Sequence, residues 1–147
     1  MHLLGIFSPI MTIILRKKHY FCTYMKKKSS IVFILNPHSG TQSKMQLPAL
    51  IDSTLNKEKF CHKVLFTEYP GHAADIAKQC VDANTDIVVA VGGDGTINEV
   101  ARSIVHTQTA LGIIPCGSGN GLARHLCIPL DPRKAIDIIN NCKIEAL

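Results

Sequence analysis

Gly92, Gly93, Asp94, Gly95 and Thr96 stand between an apolar run that ends at Val91 and a helical period that begins at Ile97. Stripping side chains from such a junction lets peptide N–H groups come close to an anion, and glycine can take the positive φ angles that turn successive N–H groups inward. The helix that follows offers first-turn N–H groups without intrahelical partners, together with the positive end of its dipole. Phosphate is the guest this combination suits. Asp94 is the exception: a carboxylate there repels the anion unless a divalent metal lies between them or the carboxylate is the base for an attacking hydroxyl.

Two familiar phosphate motifs are excluded. The pattern G-x-x-x-x-G-K-[ST] is absent, so no lysine stands ready for the terminal phosphates. Gly93-x-Gly95 reaches Asn98 where a dinucleotide fingerprint needs its third glycine, and the motif does not follow the first strand. Thr96 and Glu99 also fit T-x-x-E, a capping box that would open the helix. A glycine turn at a strand end can be nothing more than a tight turn, so its meaning depends on its neighbours.

Those neighbours alternate between strand and helix. Ile31 to Leu35 is a solid apolar run of the kind buried on both faces of a sheet. The loop "NPHSGTQSK" follows, then Leu47, Leu50, Ile51 and Leu55 at helical spacing, with Pro48 acceptable only in a first turn. Val64 to Thr67 predicts a second strand, "EYPGH" a turn, and Ala73, Ile76, Ala77, Cys80 and Val81 the stripe of a second helix. Asp86 to Val91 is the next strand, and Ile97, Val100, Ala101, Ile104 and Val105 share a helical face behind it. Leu111 to Pro115 predicts a strand ending in "CGSGNG", after which Leu122, Ala123 and Leu126 begin a short helix. Asp131 and Pro132 supply a cap and a first-turn proline for a last helix carrying Ala135, Ile138, Ile139 and Cys142.

The alternation predicts an α/β fold, an open parallel sheet with helices on both faces, in a single domain over residues 29–147. No internal repeat, low-complexity tract or interdomain linker interrupts it. Ligands of such sheets bind beyond the carboxyl ends of the strands, so "NPHSG", "GGDGT" and "GSGNG" are expected to meet at one rim.

Charge narrows the partners. The formal net charge is +5, but Arg16, Lys17, Lys18, Lys26, Lys27 and Lys28 all lie within residues 1–28, leaving ten bases against eleven acids in the body. The body is not basic, and the whole chain has five Phe, three Tyr and no Trp, so a phosphate-neutralising stripe is missing, stacking platforms are few, and nucleic acid is set aside. The head "LLGIFSPIMTIIL" is shorter than the roughly 20 residues of a spanning helix, and its charges follow the apolar run, unlike a secretory signal. It is either an interfacial anchor or an extension ahead of a true start at Met25, where "MKKKSSIVFIL" leads straight into the first strand. The six cysteines form no C-x-x-C and no metal-like cluster with the seven histidines, which points to reduced, cytosolic thiols. His38, His72 and His125 lie in or near loops and read as surface or capping residues.

Four blocks in order, "NPHSG" from Asn36, "TEYPGHAADIAK" from Thr67, "GGDGTINEV" from Gly92 and "GIIPCGSGNGLA" from Gly112, resemble the catalytic domain of the diacylglycerol kinase and sphingosine kinase family of lipid kinases. The resemblance spans nearly all of Ile31 to Asn140. G-G-D-G-T by itself is shared with NAD kinases and phosphofructokinases; the ordered set is specific to the lipid kinases.

The resemblance implies ATP, with Mg2+, at the rim of this domain, in a cleft closed by a second, β-rich domain. It places nucleotide contacts at Asn36, Ser39, Gly40, Thr67, Gly92, Gly93, Asp94, Gly95, Thr96, Ile97, Asn98, Glu99, Gly117, Ser118, Gly119 and Asn120. Asp94 becomes the catalytic residue, in metal-assisted phosphoryl transfer or in activating a lipid hydroxyl, diacylglycerol-like or sphingoid-like. A cytoplasmic protein in peripheral contact with a membrane is implied, active in phospholipid metabolism and compatible with a homodimer. Two positions depart from the pattern: many bacterial members have Thr where Ser118 stands and an acid where Gly121 stands. The chain reads as the nucleotide-binding half of such a kinase, inactive without the second domain. A NAD kinase-like or sugar-phosphate kinase domain and a non-enzymatic nucleotide-binding module are the alternatives.

Overall fold

The computed structural model describes residues 27–38 and 46–142, so the expectations for the N-terminal head and for Ser39 and Gly40 lie outside the described residues. Its elements run β1 (Ser29–Leu35), α1 (Leu47–Thr54), β2 (Phe60–Phe66), α2 (His72–Asp82), β3 (Ile87–Gly92), α3 (Asp94–Ile104), β4 (Ala110–Pro115), α4 (Gly121–His125) and α5 (Pro132–Asn141). The four strands form one sheet in the order β2-β1-β3-β4, every pair parallel. The α/β class and the open parallel sheet match the expectation.

Apolar runs became the central strands because both of their faces are covered. Ile31, Phe33 and Leu35 of β1 and Val89 and Val91 of β3 pack on one side against Leu47 and Ile51 of α1 and Ala135, Ile136 and Ile139 of α5. Val32 and Ile34, with Val88 and Ala90, pack on the other side against Ala73, Ile76, Ala77 and Cys80 of α2 and Ile97, Val100 and Ile104 of α3. Each helix therefore buries one stripe and leaves the rest to solvent. Asp131 caps α5, its side chain accepting from the Arg133 N–H at 2.9 Å, and Pro132 occupies the first helical positions as expected.

Three boundaries differ from the sequence reading. The second strand starts at Phe60 rather than Val64, because on the sheet edge only alternate positions are covered: Phe60 is buried while Cys61 and Lys63 face solvent. Val105 has left the helical path as the C-cap of α3 and is 57% exposed. In α5 the buried stripe is Ala135, Ile136 and Ile139; Ile138 is turned outward and Cys142, the C-cap, is exposed.

The connectivity creates a crevice. The chain leaves β1 toward α1 on one face of the sheet and leaves the adjacent β3 toward α3 on the opposite face. Loops that part in this way open a gap between them at the carboxyl ends of the two strands, the switch point at which open α/β sheets take their ligands. At the opposite end the same two strands are held in register by Asp86, whose Oδ2 accepts from the Ser30 N–H at 2.7 Å and the Ser30 hydroxyl at 2.9 Å.

Candidate functional site

Strand register places the predicted loops on a common rim. Leu35 is paired with both Phe66 and Val91, and Gly92 with Pro115, so the four strands end at nearly one level. Ladder-type bonds carry this one residue further: Asn36 N–H donates to the Val91 carbonyl at 3.1 Å, Thr67 N–H to that of Leu35 at 2.9 Å, and Cys116 N–H to that of Gly92 at 2.8 Å. Asn36, Thr67, Gly93 and Cys116 thus follow directly on the strand ends, with Gly117 one residue further. The expected meeting of "GGDGT" and "GSGNG" and of the start of "NPHSG" is what the structure shows.

At the β3–α3 junction Gly93 is the N-cap, in an extended conformation with φ −87° and ψ −172°, and Asp94 opens the helix. The N–H groups of the first turn precede any i−4 carbonyl and face the rim. Thr96 is not the cap of a capping box. It lies inside the first turn, buried, and its Oγ1 accepts from Asn36 Nδ2 at 3.2 Å, while Glu99 Oε1 accepts from the Gly71 N–H at 3.3 Å. Both side chains predicted to close the helix on itself instead tie it to other loops.

The second glycine loop is a turn with two left-handed residues. Gly117 has φ 149° and Asn120 φ 54°, and Asn120 Nδ2 donates to the Gly117 carbonyl at 2.8 Å, closing the turn. Asn120 is 2% exposed, and its buried Oδ1 meets no donor among the described residues. Gly117 approaches the first glycine loop closely enough that a Cβ on it would lie 3.5 Å from the Gly93 Cα. Across this contact Asp94 Oδ1 accepts from the Gly121 N–H at 2.8 Å. An open cleft of about 390 Å³ flanks Asp94, lined by Gly95, Ile97, Asn98, Ala101 and Leu122.

The remaining predicted residues fall into place around these. Thr67 is buried at the start of the β2–α2 loop, where His72 accepts the Glu68 N–H on Nδ1 at 3.0 Å, a bond within the loop rather than a cap of the helix. Ile97 belongs to the core rather than the rim surface. Asn98, Ser118 and Gly119 are exposed. Sequence reasoning did not single out Gly71 and Arg124 for this network; Arg124 Nε donates to the Gly119 carbonyl at 3.0 Å. Neither carries a local signature, since each acts on a partner fixed by the fold.

Comparison with known proteins agrees with this geometry. Residues 30–147 match the model of the diacylglycerol kinase catalytic domain. The chain is 38% identical over 118 residues to a diacylglycerol kinase of Staphylococcus saprophyticus, covering 78% of this chain and 38% of that protein. It is 40% identical over 119 residues to one of Staphylococcus aureus, covering 78% and 36%. The fold superposes on the crystal structure of a diacylglycerol kinase from Bacillus anthracis strain Sterne with a TM-score of 0.65 at 24% identity, covering 79% of this chain and 43% of that one. The chain thus spans somewhat over a third of the length of these relatives. A four-stranded parallel sheet with its glycine loops at one rim, and a sequence match over residues 30–147, together make this chain a member of the diacylglycerol kinase catalytic domain family.

Proposed function

We infer that the rim binds ATP and that the full-length protein transfers the γ-phosphoryl group to the hydroxyl of a lipid, diacylglycerol-like or sphingoid-like. One observation carries the reading: Gly95, inside the first turn of α3, has no structural reason to be glycine, whereas Gly93 is the N-cap, where glycine is common. A Cβ on Gly95 would meet nothing within 4 Å, and one on Gly93 would make only an ordinary contact with the Cys116 carbonyl at 3.6 Å. Neither has a positive φ. Glycine in a helix costs roughly 0.5–1 kcal/mol relative to alanine. A polyphosphate seated on the bare N–H groups of this turn accounts for that cost, and the helix dipole adds to it.

In this reading the backbone of Gly93 to Thr96 and the turn from Gly117 to Asn120 bracket the phosphates, with Asn36 and Thr67 at the far wall of the crevice. Ser39 and Gly40 belong to the same nucleotide contacts, and Asn98 and Glu99 border them. The lipid oxygen bonds to the γ-phosphorus as the bond to the β-phosphate oxygen breaks, the hydroxyl proton is lost and ADP leaves. Little covalent work falls to the protein in such a transfer; positioning and neutralisation dominate. Asp94 fits Mg2+ as a lone carboxylate ligand, since this ion is commonly held by one or two carboxylates together with substrate phosphates. When bound, the ion spreads the charge of the transferring phosphoryl group. The same carboxylate can serve instead as acceptor of the hydroxyl proton.

Residues 29–147 are, on this reading, the nucleotide-binding half of the kinase, inactive until a β-rich second domain completes the cleft. The lipid substrate brings with it peripheral membrane contact, a cytoplasmic setting and, as an assembly to be checked by light scattering, a homodimer. No helix among the described residues is long and apolar enough to cross a membrane. The experiment is transfer of labelled γ-phosphate from ATP to diacylglycerol and to sphingosine by the full-length protein and by its Asp94→Asn variant. Transfer to one lipid, abolished in the variant with ATP binding retained, is expected. Protection by NAD or a sugar phosphate in preference to ATP, or full turnover by the variant, overturns the reading.

A further inference from the structure

We propose that the second glycine loop is a positioning device for the Asp94 carboxylate, with Gly119 supplying the space and the Gly121 N–H the bond that fix its orientation. The proposal rests on the catalytic reading of Asp94 and assigns Gly119 and Gly121 a role distinct from touching nucleotide.

Gly119 is not glycine for the sake of its backbone. Its φ lies outside the positive range, which the turn assigns to Gly117 and Asn120 instead. A side chain there would displace a single neighbour, the free end of the Asp94 side chain: a Cβ on Gly119 would stand 2.7 Å from Asp94 Oδ2 and 3.9 Å from its Cγ, with no other non-adjacent heavy atom inside 4 Å. Real Cβ atoms do not approach an oxygen so closely, so one of the two groups must move. Meanwhile Oδ1 of the same carboxylate accepts from the Gly121 N–H at 2.8 Å, and a Cβ on Gly121 would also meet only this oxygen, at 3.8 Å. One carboxylate oxygen is bonded and the other packed against bare backbone, which together restrict the rotation of an otherwise exposed side chain.

The loop that does this holds its own shape. Asn120 Nδ2 closes the turn onto the Gly117 carbonyl, and Arg124 Nε, one turn into α4, holds the Gly119 carbonyl at 3.0 Å. All of these bonds lie within the chain, so the orientation of the carboxylate rests on the fold itself, as preorganised catalysis requires.

The test uses the full-length protein with Gly119→Ala, Asp94→Ala and the double variant. In steady-state assays Gly119→Ala is expected to lower kcat by about tenfold or more, a larger factor than any accompanying rise in KM for ATP, because the interaction lost is one made at the reacting group. In thermal melts Gly119→Ala lowers Tm in the Asp94 protein and leaves it unchanged in the Asp94→Ala background, since the collision needs the carboxylate. A single variant that does not fold, rescued by the double, supports the same conclusion. Unchanged kcat with a raised KM for ATP makes the loop a nucleotide cradle only and overturns the proposal, as does an equal loss of Tm, or of folding, in both backgrounds. If Asp94→Asn turns over lipid normally, the catalytic reading fails, and the melting cycle still reports whether Gly119 places the carboxylate.

Discussion

Asn36 and Thr96, sixty positions apart in the sequence, are joined across the switch point by a hydrogen bond of 3.2 Å from Nδ2 to Oγ1. The bond links the loop leaving β1 to the first turn of α3, the two segments that diverge to opposite faces of the sheet. Thr96 is buried, so its hydroxyl is not readily replaced by water. Thr96→Val keeps the shape and removes the acceptor. We expect a loss of about 0.5–1.5 kcal/mol in urea unfolding, the usual net contribution of one hydrogen bond, and weaker ATP binding by calorimetry because the crevice walls are no longer tied. An unchanged ATP affinity would show that the bond serves the fold only.

Gly95→Ala should move stability and binding in opposite directions. The position is inside α3, has an ordinary φ and has open space where the methyl group would go. Alanine there gains about 0.4–1 kcal/mol through the unfolded chain and helix propensity. The same methyl group would stand among the N–H groups assigned to phosphate, so ATP affinity should fall. Stabilisation without loss of affinity would move the phosphate away from this turn.

Much of this architecture was legible because strand and helix differ in the period of their apolar residues, and the central strands β1 and β3 are apolar throughout. Where cover is partial the signal weakened: the polar positions of edge strand β2 hid Phe60 to Lys63 from the reading. Glycine loops at strand ends foretold the rim, because parallel register forces those ends together. The bonds that organise it were not foretold. Thr96 and Glu99 match a local capping pattern yet bond to Asn36 and Gly71, and Asp94, which seemed misplaced beside an anion site, bonds to Gly121 twenty-seven residues on. A spacing rule describes one helix; these partners are set by which loops the sheet brings together.

Ile136 tests whether the rim depends on the last helix. It is 0% exposed and packs α5 on the face of the sheet that also receives α1. Ile136→Ala should cost about 2–5 kcal/mol, the range for such a truncation in a close-packed core, read as a lower denaturation midpoint with an unchanged m-value. The folded fraction should bind ATP normally, because the bonds that order the glycine loops, from the Gly121 N–H to Asp94 and from Asn120 to the Gly117 carbonyl, do not involve that helix's buried stripe. Reduced affinity at full folding would mean that α5 supports the crevice from below.

Cysteine reactivity separates the core from the rim. Burial raises the Cys80 thiol above its ordinary value, and the smaller opposing effects of Thr85 and Lys63 do not cancel it. The thiol is 6% exposed, so it should resist iodoacetamide while Cys61, Cys127 and Cys142 label quickly. Cys116 is partly buried and its carbonyl faces Gly93; its alkylation should be slower, hindered by ATP, and followed by weaker ATP binding. The raised Cys80 value also has a sign: the folded state favours the neutral thiol, so its contribution is complete below the ordinary thiol value of the unfolded chain and declines as pH rises through the folded one. Unfolding midpoints of the protein and of Cys80→Ala, followed from neutral to alkaline pH, should therefore converge. Midpoints that keep a constant separation would place the thiol in contact with water.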